Sequence, residues 1–300
     1  MTFLDRPAST AAPLALAGAR LTAYWALIKD LQTGLLLLTA TAGYATGCCR
    51  NLQAPGILPV LGSLFLAVSG STVLNMLLDR DIDARMVRTR RRPLPMGRVS
   101  PGEALILGGA LVTGGVGWAF WLNALFGWIV LAGVLLDVLV YTVLLKRRTA
   151  FSVIIGGLAG GMPVLAGRAA AMGEIDAVGV LLALAVLSWI PMHIMTLSIK
   201  CGEDYRRAGV PVFPNVYGER VTRVVIAGAS VIAVVLVLLA GWLAGLSGVL
   251  LQQLGAAGLV LSGLVLLGVV RPGRQLNLVL YKGASLYMLA SMVLLIGGGL

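Results

Sequence analysis

The chain has 300 residues and a formal charge of +11, yet 59% of it is hydrophobic, only 12% is charged, and its mean hydropathy is +0.96. A soluble domain is about half apolar and about a quarter charged, so a soluble globular fold is excluded and an all-α, polytopic membrane protein is expected. The basic excess does not indicate nucleic-acid binding, because Lys and Arg gather in short loops between apolar runs, with no basic stripe or module of stacking aromatics beside them.

In chain order, residues 1–19 read as a tail whose only arginine is Arg6. It resembles neither a secretory signal nor a transit peptide, so the inner membrane of a bacterium is the expected location. Residues 20–300 read as one domain. A span needs about 20 mostly apolar residues, and nine such runs occur, at 20–47, 57–78, 102–122, 124–145, 151–171, 177–199, 221–244, 248–270 and 278–299. Asn123 alone separates the third from the fourth, which predicts a tight hairpin. Glycine inside the spans suits close helix packing in lipid. Cys48, Cys49 and Cys201 read as free thiols, since adjacent cysteines bridge poorly and no metal or haem-attachment spacing is present.

Charge orients the bundle. The loops after spans two, four, six and eight carry Arg80 to Arg98, Lys146 to Arg148, Lys200 to Arg220, and Arg271 with Arg274, while the opposite loops hold Arg50 and Arg168. The N-terminus and the basic loops are therefore expected in the cytoplasm and the C-terminus on the other side.

The loop after span two is the densest in chemistry. Between Asn75 and Arg98 it holds three aspartates and seven arginines. Asn75, Asp79 and Asp83 are spaced i, i+4, i+8, which in a helix makes one stripe drifting about 40° per step. Carboxylates so placed repel one another unless a hard cation binds between them. Magnesium takes oxygen ligands, one or two carboxylates and phosphate oxygens. The stripe is therefore a candidate metal site, and Arg88 and Arg92 are candidate phosphate contacts. Arg90 and Arg91 read mainly as topology determinants. A second loop, Lys200 to Gly218, offers Glu203 and Asp204 as further metal ligands and Lys200, Arg206 and Arg207 as phosphate contacts. Lys146, at the end of span four, joins the diphosphate set, and Tyr205 is a candidate to bond the diphosphate or close the loop. His193, the chain's one histidine, lies inside span six and is a functional candidate by its position in the membrane. Asp137 must pair or face a cavity, Lys29 and Asp30 read as a helix-end feature, and Lys282 reads as a snorkelling side chain.

With both loops identified, the chain resembles the UbiA-type intramembrane prenyltransferases, and within them the branch that farnesylates protohaem IX. The resemblance rests on Asn75-x-x-x-Asp79-Arg-Asp-Ile-Asp83 with Arg88-Thr89-x-x-Arg92-Pro93-Leu94-Pro95, on Leu145-Lys146-Arg147-Arg148-Thr149, and on His193 with Asp204-Tyr205-Arg206-x-Ala208-Gly209-x-Pro211 downstream. It implies nine helices around a central cavity that opens sideways to lipid, with two acidic motifs above it. It implies Mg2+ as cofactor, farnesyl diphosphate as donor and haem B as acceptor. It assigns Asp79, Asp83 and Asp204 as catalytic, Asn75 and Glu203 as further metal ligands, and His193 to the acceptor. A haem A synthase or the assembly factors of a terminal oxidase are the protein partners expected. The chain departs from the family at Glu203, which keeps the charge of the expected aspartate, and at Met192, at Ile194 and Met195 after the histidine, and at Arg168 where tryptophan is usual; the last four are expected to alter the acceptor pocket. Two rivals remain open. Another prenyltransferase of the superfamily would act on a different aromatic or quinone-precursor acceptor, and a transporter would place its charges at mid-membrane on broken helices.

Overall fold

The computed structural model describes residues 11–47 and 54–299, which fold entirely as helices and their connections. Cys48, Cys49 and Arg50 lie outside the described residues, and Cys201 is a free thiol. Among the described residues, eight helical stretches are long and apolar enough to cross a membrane. They are α3 (Ile57–Leu78), α5 (Pro101–Leu122), α6 (Ala124–Leu135) continued by a π-helical segment (Leu136–Leu145), α7 (Ser152–Met172), α8 (Ala177–Lys200), α10 (Phe213–Leu243), α11 (Gly248–Val270) and α12 (Arg274–Gly299). These match spans two to nine.

The first span is corrected. Residues 20–47 are not one helix but the end of α1 (Ala11–Leu27) and all of α2 (Asp30–Ala45), so helix also begins inside the stretch expected as a tail. The break falls at Lys29, whose φ of 47° and ψ of 62° are left-handed. That conformation costs a residue other than glycine about 1–2 kcal/mol, so surrounding contacts must hold it. α1 is tied to the start of α5: Arg20 Nη2 reaches Glu103 Oε1 at 2.5 Å and the Tyr24 hydroxyl donates to the same oxygen at 3.0 Å. The end of α1 packs through Ala23 and Leu27 on Val73 and Met76 of α3, and α2 continues into the bundle against α7 and α12. With 16 residues it rises about 24 Å.

Local sequence explains the other helix ends. Ser100 and Glu103 form a capping box, with Pro101 at the first helical position, to start α5. Asn123 accepts from the Phe126 amide at 3.1 Å, giving the expected hairpin between α5 and α6. Asp176 caps α8 through the Gly179 amide. α10 starts earlier than expected because Phe213–Tyr217 precedes a bend at Gly218 (φ 81°, ψ 160°), a conformation glycine adopts without a Cβ penalty.

α3 packs on α5, α2 on α7 and α12, α7 on α6 and α8, and α8 on α10 and α12. α2 and α7 approach backbone to backbone, since a Cβ on Gly43 would meet the Val164 carbonyl and one on Gly167 the Ala40 carbonyl. This is the small-residue packing that substitutes for hydrophobic collapse in lipid. Arg168 lies in this region and is 1% exposed. Its Nη2 donates to Asp176 Oδ2 at 2.7 Å and its Nη1 to the Thr46 carbonyl. Burial works to raise the Asp176 carboxyl, but Arg168 and the Gly179 amide outweigh it and hold that group below the usual carboxylate range. The expectation that Arg168 alters the acceptor pocket is thus overturned: it locks α2, α7 and α8 together at the far end of the bundle. Met192 is also turned away from the cavity, fully buried against Ser230 of α10.

The two polar loops meet above the bundle. Ile82 and Met86 of the first pack with Ala208, Val210 and Val212 of the second, with Tyr205 alongside. α4 (Arg80–Arg85) and α9 (Gly202–Ala208) carry these contacts.

Candidate active site

The aspartate stripe survives in altered form. α3 ends at Leu78, and Asp79 (φ −92°, ψ 0°) is the hinge to α4. The Asp79 amide still donates to the Asn75 carbonyl at 3.0 Å and the Asp83 amide to the Asp79 carbonyl at 2.8 Å, so the three side chains stay aligned. All three are buried.

Each is held by a different partner. Asn75 Nδ2 donates to Thr142 Oγ1 at 2.8 Å, which leaves the amide oxygen to accept. Asp79 Oδ2 pairs with Lys146 Nζ, while its Oδ1 is buried without a hydrogen-bond partner. Asp83 Oδ2 pairs with Arg92 Nη1 at 2.7 Å. Asp81 points outward, as its position predicts, and pairs with Arg147, whose Nη2 also caps the Leu78 carbonyl at 2.8 Å. The guanidinium keeps the Asp81 carboxyl below the usual range.

The left-handed turn at Lys29 brings a third cation into the group, where Arg92, Lys146, Asp137 and Asp79 are the charges acting on it. Asp137, one turn deeper, accepts from Ser71 Oγ at 2.6 Å. The π-helical segment positions this wall. Its wider turns appear as the Lys146 amide donating to the Tyr141 carbonyl, five residues back, at 2.8 Å, and such segments occur often at functional sites. Tyr141 lies against Gly156, where a Cβ would stand 2.8 Å from the ring Cγ.

The second loop contributes unequally. Asp204 Oδ1 and Oδ2 accept from the Val87 and Arg88 amides, both at 3.3 Å, fastening one loop to the other. Tyr205 packs beside Ile82 and Met86 of the first loop. Glu203 faces Arg206 (2.6 Å) and Arg207 (3.3 Å). Lys200 lines a separate small polar pocket with Glu203 and Arg206. The Arg88 side chain is exposed. Thus Asn75, Asp79, Asp83, Arg92 and Lys146 come together, Asp204 and Tyr205 meet the first loop, and Glu203, Lys200 and the Arg88 side chain stand apart.

Below the cluster lies a cavity of about 780 Å³. Ser71, Asp137 and Tyr141 line it on the α3 and π-segment side, and apolar groups such as Leu38, Leu64, Val134, Met162 and Ile190 form the walls. Leu31 and Leu35 of α2 and Leu286 and Leu289 of α12 line it while remaining exposed, so the cavity opens sideways between these helices. His193 and Ile194 belong to its wall. The imidazole is stacked between Trp189 (4.9 Å) and Tyr281 (4.6 Å), and its Nδ1 lies 3.2 Å from Ser285 Oγ. Trp189, Tyr281, Ser285, Lys29, Ser71 and Thr142 were not among the residues expected at the site. Lys29 carried a signal, being ionisable inside an apolar run, and Trp189 stands one turn before His193. The small hydroxyl residues carried none.

The UbiA prenyltransferase family model matches residues 36–295. The chain belongs to the UbiA prenyltransferase family. A protoheme IX farnesyltransferase of Thermofilum pendens is 46% identical over 241 residues, covering 80% of this chain and 85% of that one. One from Korarchaeum cryptofilum is 43% identical over 213 residues, covering 71% of this chain and 72% of that one. Among solved structures, one from a study of digeranylgeranylglyceryl phosphate synthase aligns with a TM-score of 0.77 at 21% identity, covering 93% of this chain and 98% of that one. A UbiA homologue of Archaeoglobus fulgidus bound to GPP and Mg2+ aligns with a TM-score of 0.66 at 17% identity, covering 92% of this chain and 99% of that one. The structural likenesses establish the UbiA fold.

Proposed function

We infer that this UbiA-family chain is a protohaem IX farnesyltransferase, which uses farnesyl diphosphate and haem B to make haem O in a magnesium-dependent reaction. The observation that carries this reading is the juxtaposition of a buried acid–cation cluster with a laterally open apolar cavity whose far wall holds a stacked histidine. A polyprenyl diphosphate matches both halves, with its charged head at the cluster and its hydrocarbon tail in the cavity. The likeness to protoheme IX farnesyltransferases at 46% and 43% identity supports haem B as acceptor.

The donor set fits magnesium. Asp79 Oδ1 is a buried carboxylate oxygen with no partner, which costs free energy unless a cation or proton satisfies it. The Asn75 amide oxygen and Asp83 lie along the same stripe. We assign these three to the metal, with Asp204 and Glu203 as the second acidic pair, for which Asp204 must exchange the Val87 and Arg88 amides for a ligand. A magnesium ion held there supplies Lewis-acid neutralisation of the diphosphate oxygens.

The chain's own groups account for the rest. Lys146, Arg92 and Lys29 stand where charge develops as the C1–O bond of the donor breaks, with Arg88, Lys200 and Tyr205 as further contacts brought in by the loops. The apolar wall keeps water from the allylic cation. The vinyl group of the acceptor attacks C1, forming the new C–C bond. The cation left on the vinyl carbon next to the porphyrin ring then takes oxygen from water, which gives up a proton, yielding the hydroxyethylfarnesyl substituent. His193 contacts the acceptor.

The same reading places the protein in the inner membrane, with the loops bearing the cluster in the cytoplasm, as the distribution of Lys and Arg supports. A haem A synthase or an oxidase assembly factor is the partner to which haem O would pass. Incubating the purified chain with magnesium, farnesyl diphosphate and haem B should give haem O by mass, and Asp79→Ala should abolish it. Diphosphate release with a phenolic acceptor but not with haem would move the chain to another branch of the family. No diphosphate chemistry in a folded sample would refute the enzyme reading.

A further inference from the structure

Lys282 lies on α12, eight residues from its first residue Arg274, or about 12 Å along the helix. It lines the cavity beside Tyr281 and Ser285, the two α12 residues that contact His193. Among the described lining residues the charged side chains are Asp137 and Lys282. Asp137 is satisfied by Ser71 across the cavity. No hydrogen bond or ion pair engages Lys282 among the described residues. An ammonium within a span is expensive unless it has a use, and it marks a ligand path by default.

The donor does not explain this cation. The farnesyl chain is hydrocarbon, and its diphosphate is already matched in the proposed function by Lys29, Arg92 and Lys146, which belong to the acid–cation cluster and not to the cavity lining. What remains is an acceptor carrying its own anion. Haem B has that chemistry: two propionate carboxylates on one edge, vinyl groups on the rest of the ring, and an iron at the centre. The two Lys282 neighbours reinforce the assignment. Tyr281 and Trp189 cover the faces of the His193 ring, and Ser285 occupies Nδ1, so the ring offers Nε2 along its edge.

We propose that Lys282 is the acceptor-carboxylate anchor: its ammonium pairs with a propionate of the porphyrin at the lateral mouth, beside the His193–Tyr281–Ser285 group, and so turns the vinyl edge toward the diphosphate cluster. This rests on the haem reading above and adds the residue that orients the acceptor. A lipid phosphate at the mouth would satisfy the same ammonium, and the test separates the two.

The experiment uses the full-length protein in detergent and compares wild type, Lys282→Met and Lys282→Arg. Two porphyrins are titrated by Soret absorbance, haem B and its dipropionate dimethyl ester, and KM is measured for haem B and for farnesyl diphosphate. The expected result is that Lys282→Met weakens haem B binding on the order of tenfold, about the effect of one partly wet charge-assisted contact. Binding of the dimethyl ester and KM for farnesyl diphosphate stay unmoved, and Lys282→Arg restores haem B binding. Equal weakening of both porphyrins, or no weakening of either while the wild type still makes haem O, overturns the anchor and leaves the function standing; the first of these points to a lipid or structural role. A wild type that binds neither porphyrin overturns the haem reading and the anchor with it. An unmoved KM for farnesyl diphosphate also shows that the variant is folded.

Discussion

The pair Asp79–Lys146 offers a quantitative test of the site. Asp79 is 2% exposed, and the side chain of Lys146 is 18% exposed. Replacing Lys146 by Met keeps the packing volume but strands a buried carboxylate whose other oxygen already lacks a partner. Breaking a buried pair from one side costs about 3–5 kcal/mol, so Lys146→Met in EDTA should unfold many degrees below wild type at a fixed scan rate. At the proposed site magnesium would bind the folded state alone, and at 100 times Kd such a ligand returns about 2.7 kcal/mol. Magnesium should therefore recover a large share of the lost stability in the variant. Activity should stay low, by on the order of 10²–10³ in kcat, since the donor proposed for the leaving diphosphate is gone. Lys146→Met/Asp79→Asn removes both charges and should regain stability in EDTA without activity. If the double variant is as unstable as the single one, or magnesium stabilises neither wild type nor Lys146→Met, the stranded-charge reasoning is wrong.

Other consequences are equally direct. Arg168→Met should cost about 3–5 kcal/mol, by leaving Asp176 and the Thr46 carbonyl short of a donor, while KM for both substrates in the surviving folded fraction stays at the wild-type value; a selective change in haem KM would return Arg168 to the acceptor pocket. Gly156→Ala places a methyl on the Tyr141 ring, so overpacking of about 1–3 kcal/mol is expected, with kcat falling more than KM as the π segment shifts. The exposed pair Asp81–Arg147 contributes under about 1 kcal/mol. Because the folded carboxyl lies below its unfolded value, that contribution is present above the unfolded pKa and disappears as pH falls through the folded one; in Asp81→Asn the acid limb of a stability–pH curve should flatten, and added salt should mimic it.

Hydropathy alone was enough to place spans two to nine and to put the basic loops on one side, because a bilayer demands long apolar runs and short basic loops and both are local in sequence. The spacing of Asn75, Asp79 and Asp83 likewise held, since backbone hydrogen bonds carry the register through the hinge. Tertiary structure decided the rest. Nothing local marks Lys29 as a break, for it is neither Gly nor Pro; the contacts of α1 with Glu103 and its packing on α3 hold the left-handed turn. Arg168 looked like a pocket substitution because it follows Gly167, yet its partners are Thr46, 122 residues away, and Asp176. Asp204 looked like a metal ligand in waiting, and the structure engages it with amides more than a hundred residues earlier in the chain. Sequence determined which residues reach the charged face of the membrane, because solvation acts residue by residue. Which of them meet was settled only by packing, because pairing depends on distances between helices that no local pattern encodes.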